Sequence, residues 1–168
     1  MRLTPIALTA AILVACLGSA GYGQKPDDQV DPRSQALAQQ AQALSGQGRY
    51  QEATDLLETA LAVDPRNRQA YIALGRAAQG EKLPGKAIKF YLEALKLEPN
   101  DLAALQGQGE ALVQRGAVER AKRNLDRIKS LCKGACPQAA TLAAAIAKGP
   151  PPEVLTAQRP DLNAPTSE

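Results

Sequence analysis

The chain has no histidine and no tryptophan, one phenylalanine, one methionine and three cysteines among 168 residues. Each scarcity closes a class of function. Without histidine the usual general base, metal ligand and nucleophile activator are missing together. Three cysteines with no histidine fall short of the four ligands that a structural zinc site takes. Aromatics make up 3% of the chain, too few to fill a deep globular core or to stack on nucleic-acid bases. A formal net charge of +3 is too small to argue for nucleic acid or an acidic substrate. The carboxylates Glu52, Asp55 and Glu58 stand three or four apart, but on the polar side of an amphipathic pattern. Gly107 and Gly109 fall within a helical pattern rather than after a strand, so they do not read as a phosphate cradle. The expectation is a non-enzyme without metal or cofactor.

What the chain does have is a period of 34 residues. Ala53, Leu57, Ala60 and Pro65 return as Ala87, Tyr91, Ala94 and Pro99, and the first two return again as Ala121 and Leu125. Counting Ser34, Arg68 and Leu102 as first residues, position four is Leu37, Tyr71 and Leu105. Position eight is Ala41, Gly75 and Gly109, and position eleven is Leu44, Ala78 and Leu112. Offsets of three, four and seven put large apolar groups on one helical face, with small residues where a second helix must come close. Gly46 and Gly48, then Lys82, Leu83 and Pro84, then Gly116 mark the turn inside each unit. Asp64-Pro65 and Glu98-Pro99 close the second helices, because the residue before proline is pushed away from helical angles. Each unit is two antiparallel helices, and the chain is all-α.

This pattern resembles the tetratricopeptide repeat family: a large residue at position four, Leu-Gly at seven and eight, an aromatic at eleven, Ala at twenty, an aromatic at twenty-four, Ala at twenty-seven and Pro at thirty-two. The second unit matches best, with Tyr71, Leu74-Gly75, Ala87, Tyr91, Ala94 and Pro99. The first departs at Gln40-Ala41, and the third at Gln108, Ile128 and Lys133. The resemblance implies a solenoid of about three helical hairpins, with residues 138 to 148 as a capping helix over the last apolar face. It also implies a concave groove lined by the first helices. The groove positions are Gln35, Ala38, Gln42 and Ser45, then Gln69, Ile72, Arg76 and Gln79, then Ala103, Gln106, Glu110, Val113 and Gln114. Such a surface is amide-rich and nearly neutral, suited to a peptide or helix backbone. Co-chaperone members of the family hold an acidic C-terminal peptide with a clamp of Lys, Asn and Arg. Here those places carry Ala38, Gln42, Ala73, Ala103 and Gly107, so that clamp is absent.

The start of the chain suggests export. Met1-Arg2 gives a short positive start and Leu3 to Val14 is mostly apolar, shorter than the roughly 20 residues of a membrane span and typical of a signal peptide over 1–20. Leu13-Val14-Ala15-Cys16 is similar to the bacterial lipoprotein box, which implies acylation of Cys16 and an outer-membrane anchor. Ordinary cleavage after Gly18-Ser19-Ala20 is the competing possibility. The expected organisation is then a disordered linker over 21–32, the repeat domain over 33–148 and a disordered tail over 149–168, since both flanks are rich in Gly, Pro and polar residues.

Three cysteines leave one unpaired in an exported protein. With Cys16 lipidated, Cys132 and Cys136 form the natural pair, and the Gly and Pro around them free the segment to bring the two Cβ atoms together. A redox-active pair is the alternative. The second helix of the third unit is strongly basic, with Arg120, Lys122, Arg123, Arg127, Lys129 and Lys133 against Glu119 and Asp126. A solvated face and a docking patch for anionic lipid or an acidic partner both account for it.

Together these features describe an exported scaffold, periplasmic or lipid-anchored, that holds another cell-envelope protein in its groove and binds no nucleic acid. An accessory of pilus or secretion assembly is a narrower form of this expectation. A periplasmic accessory to a thiol-dependent enzyme, cycling Cys132 and Cys136, is the alternative of another class.

Overall fold

The computed structural model describes residues 29–157; the expected signal segment, the Cys16 lipidation site and most of the expected linker lie outside them. Eight helices follow one another: α1 (Pro32–Gly46), α2 (Tyr50–Val63), α3 (Arg68–Gly80), α4 (Pro84–Leu97), α5 (Leu102–Gln114), α6 (Val118–Leu131), α7 (Pro137–Lys148) and the short α8 (Pro152–Ala157). No strand occurs among the described residues. The first six pair as three antiparallel hairpins, and α7 lies against both helices of the third.

Local chemistry sets the helix ends. Asp31, Asn67 and Asp101 cap α1, α3 and α5, each carboxylate or amide oxygen accepting a backbone N–H of the first turn, a bond worth about 1 kcal/mol. Pro84 and Pro137 open α4 and α7, where a missing N–H costs nothing. The turns within the three hairpins share one geometry at the same place in the period. Gly48, Lys82 and Gly116 take positive φ of 76°, 59° and 80°, and the next N–H in each turn closes onto Leu44, Ala78 and Leu112.

The core is a thin seam rather than a centre. In the first, Leu57 packs with Ala38, Ala41, Ala53 and Ala73. In the second, Tyr91 is 1% exposed and stands between Gly75 and Gly107, where an added Cβ would fall 2.6 and 2.3 Å from its ring. In the third, Leu105, Leu125 and Ile128 meet Leu142 of α7, which presses on Gly109 as closely. This is the covering that the capping-helix expectation described.

Two expected boundaries move. The ordered domain begins before residue 33, because Val30 is buried and the Asp31 N–H donates to Asp64 Oδ2 at 3.0 Å. Asp64 is itself buried and accepts from Arg66 N and Nε at 3.0 Å and Nη2 at 2.7 Å. The Arg66 side chain, chiefly, and these backbone donors hold the Asp64 carboxyl well below its ordinary range despite burial. At the other end, the segment expected to be a structureless tail from 149 forms α8. Pro152 starts it and Glu153 sits in its first turn, both favourable at a helix N-terminus.

Candidate protein-binding groove

The inner layer of the stack is α1, α3 and α5. Each touches the next directly, whereas α2, α4 and α6 make no contact of comparable extent with one another. Splayed outer helices and close inner ones curve the stack, with its concave side on α1, α3 and α5.

A hollow of about 330 Å³ lies between α1 and α3, lined by Gln35, Gln39, Gln42, Asn67, Arg68 and Gln69, with Val30 and Ala38 also on its wall. Side-chain amides both donate and accept, so this wall can follow the alternating N–H and C=O groups of a peptide backbone. Gln35 Nε2 already donates to Val30 O at 3.3 Å. Further along the stack, Arg76 is exposed, and Gln106 and Glu110 are half-buried and joined by a 2.9 Å bond from Gln106 Nε2 to Glu110 Oε1. Gln79 is fixed from below: the Tyr91 hydroxyl donates to its Oε1 at 2.6 Å. Burial raises the pKa of that phenol well above its usual value, so it is a neutral donor at ordinary pH.

Of the thirteen groove residues named from sequence, ten keep solvent-exposed surface: Gln35, Gln42, Ser45, Gln69, Arg76, Gln79, Ala103, Gln106, Glu110 and Gln114. Ala38, buried on the wall of the first hollow, Ile72 and Val113 do not. Ile72 is 1% and Val113 4% exposed, Ile72 in the Tyr91 seam and Val113 beside Leu112 and Ala121. Ile72 clusters with Ala104 and Ala111 of α5, and Val113 with Ala121 of α6 and Ile146 of α7, so an apolar side chain at these places packs against neighbouring helices. Sequence reasoning also missed Gln39, Asn67 and Arg68 in the first hollow. It missed the approach of the segment after α7 as well: Pro151, Glu153 and Val154 share a second hollow of about 380 Å³ with Gln79, Lys82, Pro84 and Gln114.

The carboxylates Glu52, Asp55 and Glu58 are exposed on α2, where Glu52 pairs with Arg49 and Asp55 accepts from Gln51. Cys132 and Cys136 are joined as a disulfide with Cα atoms 6.0 Å apart, between α6 and α7.

Residues 38–101 match the family profile of the tetratricopeptide repeat. These are tetratricopeptide repeats. The Sgt2 repeat domain of Aspergillus fumigatus superposes with a TM-score of 0.65 at 19% identity, covering 82% of this chain and 89% of that one. The first repeat domain of Spaghetti (RPAP3), bound to the HSP90 peptide SRMEEVD, gives 0.64 at 22% identity over 71% and 94%. The Yersinia enterocolitica type III secretion chaperone SycD, in complex with a peptide of the translocator YopD, gives 0.59 at 18% over 68% and 86%. Among curated proteins, cellulose synthase operon protein C of Komagataeibacter xylinus is 35% identical over 115 residues, 63% of this chain. The match spans 9% of that much longer protein. The tetratricopeptide fold is typical of adaptors and chaperones that bind proteins or peptides.

Proposed function

We propose that this protein is a non-catalytic adaptor that holds an extended or helical segment of another cell-envelope protein along α1, α3 and α5. The observation that carries this is the amide-lined hollow between α1 and α3, on the side where the inner helices converge. A backbone laid there meets donors and acceptors without a fixed charge requirement, so side-chain pockets rather than a terminal carboxylate select the partner. The peptide of the Spaghetti complex ends in acidic residues, whereas this groove has Ala38, Gln42, Ala73, Ala103 and Gly107 where a carboxylate clamp needs cations and amides. A different peptide chemistry follows.

Export and anchoring through Cys16 belong to the same proposal, with service to a pilus or secretion assembly as its narrower form. Support comes from the leader-like start, the lipoprotein-type Leu13-Val14-Ala15-Cys16 and the disulfide, since such bridges persist in oxidising compartments. A photo-crosslinking residue placed at Gln69, Arg76 or Gln106 of the full chain in cells is expected to capture one common partner, and the same residue at Glu58 on the outer layer to miss it. Equal capture from Glu58 overturns the groove. The mass of the mature N-terminus tests the anchor: acyl chains on Cys16 support it, and a start near Gly21 removes it. Thiol titration before reduction separates this adaptor from the thiol-enzyme accessory, because a bridge that resists glutathione does not cycle.

A further inference from the structure

We infer that the outer face of α6 is a second docking site, which takes an acidic peptide segment of a protein partner through Arg123 and Arg127. From Glu119 to Lys133 six cations face two carboxylates, a surplus of four, against +3 for the whole chain. The remainder of the molecule is therefore slightly acidic, and its positive excess lies on α6 and on Lys133 just past its end. All six cations are exposed.

The helix macrodipole does not account for them. It favours cations in the last turn and disfavours them in the first, yet Arg120, Lys122 and Arg123 lie in the first half of α6. Surface solvation alone does not account for their arrangement either. Arg120, Arg123 and Arg127 follow the three- and four-residue offsets that align side chains along one stripe. Arg123 and Arg127 line a shallow hollow of about 580 Å³ together with Asn100, Asn124, Ser130 and Leu131. Arg127 is already oriented there, since its Nη2 donates to Asn100 Oδ1 at 3.0 Å across from the α4–α5 turn. Asn124 forms a fixed wall, with its Nδ2 bonded to Leu105 O and Gln108 Oε1.

Two guanidinium forks one helical turn apart match carboxylates borne on successive positions of a peptide, and arginine recognises such groups with two parallel bonds. Leu131, 36% exposed, offers an apolar contact at the end of the hollow. Asp126 also lines it and penalises a ligand that brings carboxylates to that side. A membrane surface fits less well. A bilayer calls for one coplanar cationic face, whereas Lys122 and Lys129 lie on the opposite flank from the arginine stripe, with Glu119 and Asp126 between. Lys122 is moreover paired with Glu119 at 2.7 Å.

The test uses the full chain and a fluorescein-labelled hexaglutamate peptide, followed by anisotropy at about 0.1 M salt, where the Debye length is roughly 10 Å. Arg123→Gln with Arg127→Gln is compared with Lys122→Gln and Lys129→Gln, which removes the same net charge from the other flank. The arginine pair is expected to weaken binding by about tenfold or more and the lysine pair by less than about twofold. Gln42→Ala with Gln69→Ala is expected to leave this binding unchanged, so failure of the groove proposal does not touch it. Equal weakening by both cationic pairs shows a general charge effect and overturns the site. So does absence of wild-type binding, or capture by anionic phosphatidylglycerol vesicles that depends on the lysine pair as much as on the arginines.

Discussion

The first and second inter-repeat seams occupy the same positions of the period and fill them with different chemistry. In the first, Leu57 packs among Ala41 and Ala73. In the second, the equivalent places hold Tyr91, Gly75 and Gly107, and the ring takes the volume that two missing methyl groups release. The polar closure differs in the same way. Ser34 Oγ donates to Ala60 O at 2.7 Å and accepts from Asn67 Nδ2 at 2.8 Å, a buried neutral bridge. One period later Arg68 Nη1 meets Asp101 Oδ2 at 2.6 Å with both side chains largely buried. The backbone geometry of a repeat thus constrains the summed volume and the summed hydrogen bonding at a seam, and leaves the residues free.

The strongest way to break this equivalence is to give the second seam the small residues of the first without its leucine. Gly75→Ala with Gly107→Ala forces methyl groups against a ring held on all sides. Each Ala gains up to about 1 kcal/mol of helix propensity, but overpacking at two sites outweighs it, for a net loss of about 2–4 kcal/mol in urea unfolding. Adding Tyr91→Leu converts the whole set and should recover most of that loss. A double variant as stable as the parent would mean that the seam is soft and the volume match accidental.

The polar closures give the next largest effect. Asp101→Ala removes the cap of α5, whose Ala104 N–H donates to Oδ1 at 2.7 Å, together with the partner of a largely buried arginine, and should cost about 2–3 kcal/mol. Arg68→Ser with Asp101→Asn installs the first seam's pair in the second. Its cost is expected to be smaller than the sum of the single substitutions by about 1 kcal/mol or more. Additive costs would show that the two residues do not act as a pair.

The seams also differ in the direction of their pH sensitivity. Asp64, at the edge of the first, has its folded pKa depressed, so the stability it lends is present above its unfolded value and is lost as pH falls. Tyr91, in the second, has its folded pKa raised, so its contribution is present below about pH 10 and is lost as pH rises further. Amide exchange resolved by residue should therefore show the edge formed by Asp31, Asp64 and Arg66 loosening first toward acid and the α3–α5 seam first toward alkali. Asp64→Asn should flatten the acid limb at a cost of about 2 kcal/mol near neutrality, and Tyr91→Phe the alkaline limb at about 1 kcal/mol. Loss of protection in the same order at both extremes would refute the distinction.

Much of this architecture was legible because the signals repeat. The period, the proline stops, the small residue at position eight and the last apolar face needing a cap all rest on local rules applied three times. The partners of Asp31 and Arg68 lie 33 residues away, and only superposition of the units reveals them. Ile72 and Val113 were misplaced for the same reason: whether an apolar residue on an inner helix faces the groove or a neighbouring helix depends on how closely the helices approach. The return of Pro151, Glu153 and Val154 toward Gln79 was hidden by composition, since a proline-rich opening reads as disorder although it also starts a helix.

The smallest contrast lies in the turns. Gly48, Lys82 and Gly116 make the same closure, their N–H groups donating to Ser45, Gln79 and Val113, yet the second turn carries a side chain at φ 59°. A non-glycine residue there strains against its own carbonyl by roughly 1 kcal/mol, while glycine brings extra unfolded-state entropy worth about half as much. Lys82→Gly should therefore stabilise the chain by about 0.5 kcal/mol, and Gly116→Ala should destabilise it by about 1 kcal/mol. Lys82 also lines the hollow that Glu153 enters, so Lys82→Asn, which tolerates positive φ without the charge, separates backbone relief from loss of a cation. If Lys82→Asn and Lys82→Gly both destabilise, the lysine is retained for its place beside Glu153 and Val154 rather than tolerated in spite of its backbone. The second turn would then be the place where the solenoid and its C-terminal segment are coupled.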